Sequence, residues 1–233
     1  MDSRGYDSGG RIFSNATEMW VAELGSTASS AEAEATPAAA AGNGAAGEEG
    51  GGDGKRKEWY SKAIAYWQSV DASTEGVLGG YGCVNDADVK GSDTFLRPLM
   101  AERFGTAKRH LVALDLSYRI LGCCYALYQV DLVEPVPHFL EAARENLTGG
   151  MMHQGEDSHK AVNFYCVSLQ DFTPEEGRYD VIWVQWCIGQ LPDDDFISFF
   201  NRAKIGLKPD GFFVLKENIA KNGEFAVSNG KSE

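Results

Sequence analysis

Positive charge is scarce in this 233-residue chain: 21 Lys and Arg stand against 34 Asp and Glu, a formal net charge of −13 at pH 7. That deficit excludes the basic stripe that a nucleic-acid binder needs. Nine of the acids, against two arginines, fall within the first 54 residues, so the remainder is only mildly acidic. Cysteine is sparse too. The five, at 83, 123, 124, 166 and 187, are odd in number and form no C-x-x-C pair. They fit neither a disulfide framework nor a zinc site and read as reduced thiols of a cytosolic or nuclear protein. The four histidines have no companion acid or cysteine at ligand spacing, so no metal set is expected. Long apolar runs are missing, and the amino terminus has no apolar core behind a basic region; neither a membrane span nor a signal peptide is expected. The sequons at Asn15 and Asn146 accordingly read as chance matches. No nucleophile elbow, phosphate loop or G-x-G-x-x-G after a first strand occurs, which argues against a serine hydrolase, a P-loop enzyme and a nicotinamide dehydrogenase.

Large apolar residues are absent from one stretch altogether. From Ala31 to Gly54, 16 of 24 residues are Ala or Gly, with nothing to offset the entropy of ordering. Residues 1–54 are therefore expected to be a disordered tail, in which Phe13 to Leu24, with Trp20, forms at most one amphipathic turn. Order is expected from Lys55. Tyr60, Ile64 and Trp67 fall on one helical face. Three glycines lie within Val77-Leu78-Gly79-Gly80-Tyr81-Gly82, where the backbone is free to take positive φ. A helix is expected from Ser92, a good cap, to Phe104, closed by Gly105. Residues 55–106 are thus read as a helical lid.

From 107 to 222 the pattern alternates strand and helix, as in a Rossmann-like α/β fold with a parallel sheet. The expected strands are Leu111 to Leu114, Gln129 to Glu134, Val162 to Val167, Tyr179 to Trp186 and Gly211 to Glu217. Helices are expected over Pro137 to Leu147 and Pro192 to Leu207, the latter opening with three aspartates at its positive dipole end. Lys208 to Gly211 reads as a turn, and 223–233 as a second disordered tail.

Ligands of such a sheet bind beyond the carboxyl ends of its strands. Glu134, at the end of the second strand, reads either as an acceptor for ribose hydroxyls or as a solvated acid. Leu169-Gln170-Asp171-Phe172 reads as a frame for a flat ring or as a turn over a buried Phe. Gln185 interrupts an otherwise apolar strand, and a buried amide needs partners. Lys216-Glu217-Asn218 puts three polar residues where the last strand emerges. With no metal set and no nucleophile, the reactive group is expected to arrive on a cofactor.

These segments, with Tyr60-Ser61-Lys62-Ala63, Tyr66-Trp67 and Leu78 to Gly82, resemble the alpha N-terminal protein methyltransferases in their plant form, over about 59–222. The resemblance implies an S-adenosylmethionine-dependent transferase that methylates the α-amine of proteins beginning Xaa-Pro-Lys. It implies that Glu134, Pro135 and Val136 hold the ribose end of the cofactor, that Leu169 and Gln170 frame the adenine, and that Gln185 lies against the methionine part. Trp67, Gly80, Tyr81, Trp186 and Asn218 would line the peptide channel under a closing glycine loop. Three departures stand out. Asp115 is followed by a segment with a single glycine, in which Arg119 would replace the family's carboxylate-gripping arginine. Gln190 stands where many members have a histidine. The family continues with further strands where this chain ends, so the sheet is expected to be incomplete at that side. These departures open a second reading: a splice-type variant that binds peptide without catalysis. A methyltransferase with a different acceptor is the third.

Overall fold

In the computed structural model of the chain, residues 3–25, 51–105, 110–116, 129–148, 160–219 and 223–227 are described. In chain order the elements are β1 (Gly5–Asp7), β2 (Ile12–Phe13), α1 (Ala16–Leu24), α2 (Gly51–Gln68), α3 (Thr74–Val77), a 3-10 turn (Gly82–Val84), α4 (Asn85–Phe104), β3 (Val112–Asp115), β4 (Gln129–Val133), α5 (Pro137–Thr148), β5 (Lys160–Tyr165), β6 (Tyr179–Gln185), α6 (Asp193–Gly206), β7 (Leu207–Lys216) and β8 (Phe225–Val227). They divide into two compact units, Trp67–Asn218 and Met1–Tyr66 with Ile219–Glu233.

The larger unit holds a five-stranded sheet in the order β5-β4-β3-β6-β7, every neighbouring pair parallel. The chain starts at the central β3, moves outward through β4 to β5, then returns to β6 on the other side. The order therefore reverses between β3 and β6, where a parallel sheet opens a crevice at its carboxyl edge. All seven residues of β6 are buried, as expected of a strand covered on both faces. On one face α4 packs Leu96, Met100 and Phe104 onto Ala113, Val130, Val181, Trp183 and Val214. Leu140 and Ala143 of α5 cover Leu132. On the other face Phe200 of α6 meets Phe213, which alternates with Val214, at a ring distance of 5.4 Å.

Two buried aspartates of this unit are paired with cations. Asp131 accepts from Arg178 Nε at 2.8 Å, Asn163 Nδ2 at 3.0 Å and the Tyr179 hydroxyl at 3.0 Å. Asp180 takes the Val112 N–H and Lys208 Nζ. Burial and the Asp131 charge together push the Tyr179 phenol upward.

Two expectations for this unit are corrected. Helix α4 begins at Asn85, not Ser92, with Asp86 and Asp88 in its first turn; Ser92 is no cap, because its buried hydroxyl bonds Lys216 Nζ at 2.7 Å. The turn expected at Lys208 to Gly211 lies inside β7 as a wide bulge, the register jumping from Tyr179↔Leu207 to Val181↔Phe212. Gly211 is needed there, since a Cβ would sit 2.8 Å from the Tyr179 carbonyl oxygen.

The smaller unit corrects both expected tails. Strands β2, β1 and β8 form a sheet, with β8 parallel to β1. Asn15 caps α1 by accepting the Glu18 N–H at 2.8 Å, while Glu18 accepts the Ser14 N–H at 2.7 Å. Phe13, Met19, Trp20 and Leu24 form a core with Trp59, Phe225 and Val227. Trp20 meets Trp59 edge-on at 5.3 Å. Each of these residues alone is a weak local signal. Their partners lie tens to hundreds of positions away, so only the folded chain assembles a core from them. Helix α2 likewise starts at Gly51, ahead of Lys55. Most of the Ala/Gly stretch, 26–50, lies outside the described residues.

Candidate active site at the carboxyl edge of the sheet

Because all five strands run in one direction, their ends share one edge: Asp115 of β3, Glu134 after β4, Tyr165 of β5, Gln185 of β6, Lys216 of β7 and Glu217 just after it. Asp115 and Gln185 are buried there. Burial pushes the Glu134 carboxyl up to about 7 despite the Val136 N–H, which it accepts at 2.9 Å. Beside it, the Glu134 N–H donates to the Tyr165 carbonyl at 3.0 Å, and the Cys166 thiol reaches the Pro135 carbonyl at 3.8 Å. Those links tie Glu134, Pro135 and Val136 to the loop that carries Leu169 and Gln170. Leu169 is buried and Gln170 half-buried.

Cys187, just past β6, reports how these acids converge. Its thiol is pushed well above the ordinary range, first by burial and then by the negative charges of Glu217, Asp115 and Glu134. The parallel register places these three carboxylates at ends of neighbouring strands along one edge. Glu217 also holds the turn: its Oε1 accepts the N–H groups of Cys187 at 2.9 Å and Ile188 at 3.2 Å, and burial raises this carboxyl as well. Just before them Trp186 adopts φ of +53°, the one positive value at a non-glycine among the described residues. A left-handed backbone at a bulky residue is strained and is found where function over-determines it.

Gln185 has the partners a buried amide requires. Its Oε1 accepts from Trp183 Nε1 at 3.1 Å and its Nε2 donates to Asp88 at 3.2 Å. Asp88 is bridged to Lys216 Nζ, which also lies 5.7 Å from the Trp186 ring centre. A cleft of about 370 Å³ opens alongside, lined by Asp88, Ser92, Phe95, Trp183 and Lys216 among others.

On the far side, Trp67 packs edge-on against Phe139 at 6.2 Å, and His138 Nε2 reaches the Val70 carbonyl at 2.8 Å. The end of α2 is thereby fixed to the first turn of α5, directly after Val136. Gly79 and Gly80 take φ of +58° and +91°, as the glycine loop requires, and Tyr81 is exposed. Glu75 pins that loop through the Gly80 and Gly82 N–H groups. Gln190 is half-buried on the turn after Trp186, and Asn218 is exposed after β7. Arg119 and the segment after Leu116 lie outside the described residues. Among the described residues no group of three His, Cys, Asp or Glu is placed to hold a metal ion, and no helix is long and apolar enough to cross a membrane.

Sequence reasoning missed Asp88 and the role of Glu217. Nothing local distinguishes Asp88 from any acid in a helix's first turn, and its partner Lys216 is 128 residues away.

Comparison with known proteins bears directly on this edge. Residues 55–231 match the family described as AdoMet dependent proline di-methyltransferase. The chain belongs to that family. It is 73% identical to an alpha N-terminal protein methyltransferase 1 of Oryza sativa subsp. indica, over 96% of this chain and 76% of that one. An N-terminal Xaa-Pro-Lys N-methyltransferase 1 of Danio rerio is 39% identical over 71% of this chain and 73% of its own. Among solved structures, a SAM-dependent methyltransferase of Leishmania major superposes with a TM-score of 0.70 at 29% identity, covering 100% of this chain and 80% of that one. The fold is accordingly the Rossmann-like fold of S-adenosylmethionine-dependent methyltransferases, and the converging strand ends lie at the cofactor-binding edge of that architecture.

Proposed function

We propose that this methyltransferase transfers the methyl group of S-adenosyl-L-methionine to the α-amine of proteins whose amino terminus reads Xaa-Pro-Lys. The observation that carries the reading is the placement of Asp115, Glu134 and Glu217 at one carboxyl edge of the parallel sheet, with Glu217 bonded to the turn after β6. An acid-lined edge suits a cofactor that bears a sulfonium cation, and the buried Glu134 carboxyl, raised to about 7, gains from the two hydroxyls of a ribose when it ionises. In this reading Glu134 with Pro135 and Val136 holds the ribose, Leu169 and Gln170 frame the adenine, and Gln185, its amide fixed by Trp183 and Asp88, borders the methionine part. Trp67, Gly80, Tyr81, Trp186 and Asn218 line the path of the peptide. The names of the rice and zebrafish relatives supply the acceptor.

The bound cofactor supplies an electrophilic methyl group; the chain's own contribution is to hold the amine in line with it and to exclude water. Gln190 is an amide and takes no proton at physiological pH, so the amine reacts in its neutral form. An α-amine titrates near pH 8, and turnover is expected to rise with pH up to about that value. The proposed compartment is the cytoplasm or nucleus, where Cys83, Cys166 and Cys187 stay reduced.

Calorimetry with S-adenosylhomocysteine, followed by mass spectrometry of an Xaa-Pro-Lys peptide incubated with enzyme and cofactor, tests the reading. Saturable cofactor binding and added methyl groups are expected. Peptide binding without cofactor binding would overturn it in favour of a peptide-binding protein.

A further inference from the structure

Arg202 on α6 reaches across to the loop that follows β5. Its Nε donates to the Phe172 carbonyl at 3.0 Å, and its Nη2 to the Leu169 and Gln170 carbonyls at 2.9 and 2.8 Å. The remaining arm is steadied by Ser198 Oγ at 2.6 Å. One guanidinium thus gathers three carbonyl oxygens from four consecutive residues. The same loop is tightened from within, the Asp171 and Phe172 N–H groups both donating to the Ser168 carbonyl at 3.0 Å. Phe172 is buried against Tyr165, ring centres 5.3 Å apart. The planar fork of an arginine satisfies three acceptors in fixed directions, which a lysine's single ammonium does not.

We infer that Arg202 is a positioning residue for cofactor binding: it presets the backbone of Leu169 to Phe172 in the form that receives the adenine. The inference rests on the reading above, in which Leu169 and Gln170 frame that ring. A loop fixed before binding loses little entropy when the ligand arrives, so the contribution appears in cofactor affinity and not in the chemical step.

The test uses the full chain with Arg202→Lys, Arg202→Gln and, as a control at an exposed position of the same helix, Asn201→Ala. For both Arg202 variants the affinities for S-adenosylhomocysteine and for adenosine are expected to fall by a common factor of about 10 or more, since hydrogen bonds from a charged donor are lost. Peptide KM and kcat at saturating cofactor stay at wild-type values, and Asn201→Ala stays within about 2-fold of wild type. Unchanged cofactor affinity in Arg202→Lys would sink the inference. So would a loss that falls equally on peptide KM, or one that Asn201→Ala reproduces, since either marks a general disturbance of α6. Should neither Arg202 variant fold, hydrogen exchange on the wild-type chain decides: the Asp171 and Phe172 amides, which donate to the Ser168 carbonyl, are expected to be protected before cofactor is added. Protection that appears only on binding would overturn a preset loop. Failure of the wild type to bind S-adenosylhomocysteine would count against the functional reading and leave the exchange result standing.

Discussion

Glu134 combines a ligand-facing position with a raised proton affinity. Burial moves its carboxyl from 4.5 up to about 7, so near neutral pH the free protein divides between the acid and the carboxylate. Ribose hydroxyls donate to the carboxylate, and binding therefore competes with the proton. Affinity for S-adenosylhomocysteine is expected to rise with pH through about 7 and to lose that dependence in Glu134→Gln, whose affinity is lower by about 10-fold at pH 8. Calorimetry at a series of pH values checks both. The stability of the cofactor-free chain moves the opposite way. The folded state holds a proton that the unfolded state releases, so the contribution is complete below pH 4.5 and is lost as pH rises through about 7. Glu217, also raised by burial, acts in the same sense. The melting temperature of cofactor-free wild type should fall more steeply across that window than that of Glu134→Gln. Glu134 was legible in the sequence because a strand end followed by proline is a local pattern. Glu217 was legible only as one of three polar residues, because its two N–H donors come from a turn 29 and 30 positions earlier.

At the scale of elements, the bridge between Asp88 of α4 and Lys216 of β7 joins the helix after the glycine loop to the strand that closes the sheet. The side chains are 16% and 29% exposed, so removing one partner leaves the other mostly buried. Lys216→Met and Asp88→Asn are each expected to cost about 2 kcal/mol. In the double variant the loss should fall short of the sum by about 1 kcal/mol, a coupling that chemical denaturation of the four proteins would measure. Strictly additive losses would show that the two groups do not act together. The bulge in β7 makes a second prediction. Gly211→Ala drives a methyl group against the Tyr179 carbonyl oxygen, and a loss of about 2 kcal/mol is expected. Thermal melts of wild type and Gly211→Ala check the loss, and an unchanged melting temperature would show that the bulge gives way without cost. Strands β3, β4 and β6, and helices α5 and α6, were readable from apolar runs and capping residues within a few positions of where they occur. The start of α4 and the bulge were not, since a buried bond to Lys216 and a close pass by Tyr179 override the local preference for a cap and a turn.

For the molecule as a whole, the two units have separate cores. In the smaller one Phe13 is 2% exposed and packs with Phe225 at a ring distance of 6.5 Å. Phe13→Ala is expected to remove about 3 kcal/mol from that unit. Hydrogen exchange should show faster amides across 5–24 and 225–227 while β6 keeps its protection. Loss of protection in β6 as well would mean that the chain unfolds as one cooperative body.

The amino-acid sequence by itself determined the alternating strand–helix order, the polar residues at the strand ends and the family, because each is carried by neighbours within a dozen positions. The tertiary structure decided which polar groups meet. Asp88, Lys216 and Gln185 form one network, three acids stand at one edge of the sheet, Arg202 grips a loop 30 to 33 residues away, and two segments that look like tails pair as strands. Such contacts depend on parallel strands bringing distant residues to one edge, and no local pattern encodes that juxtaposition.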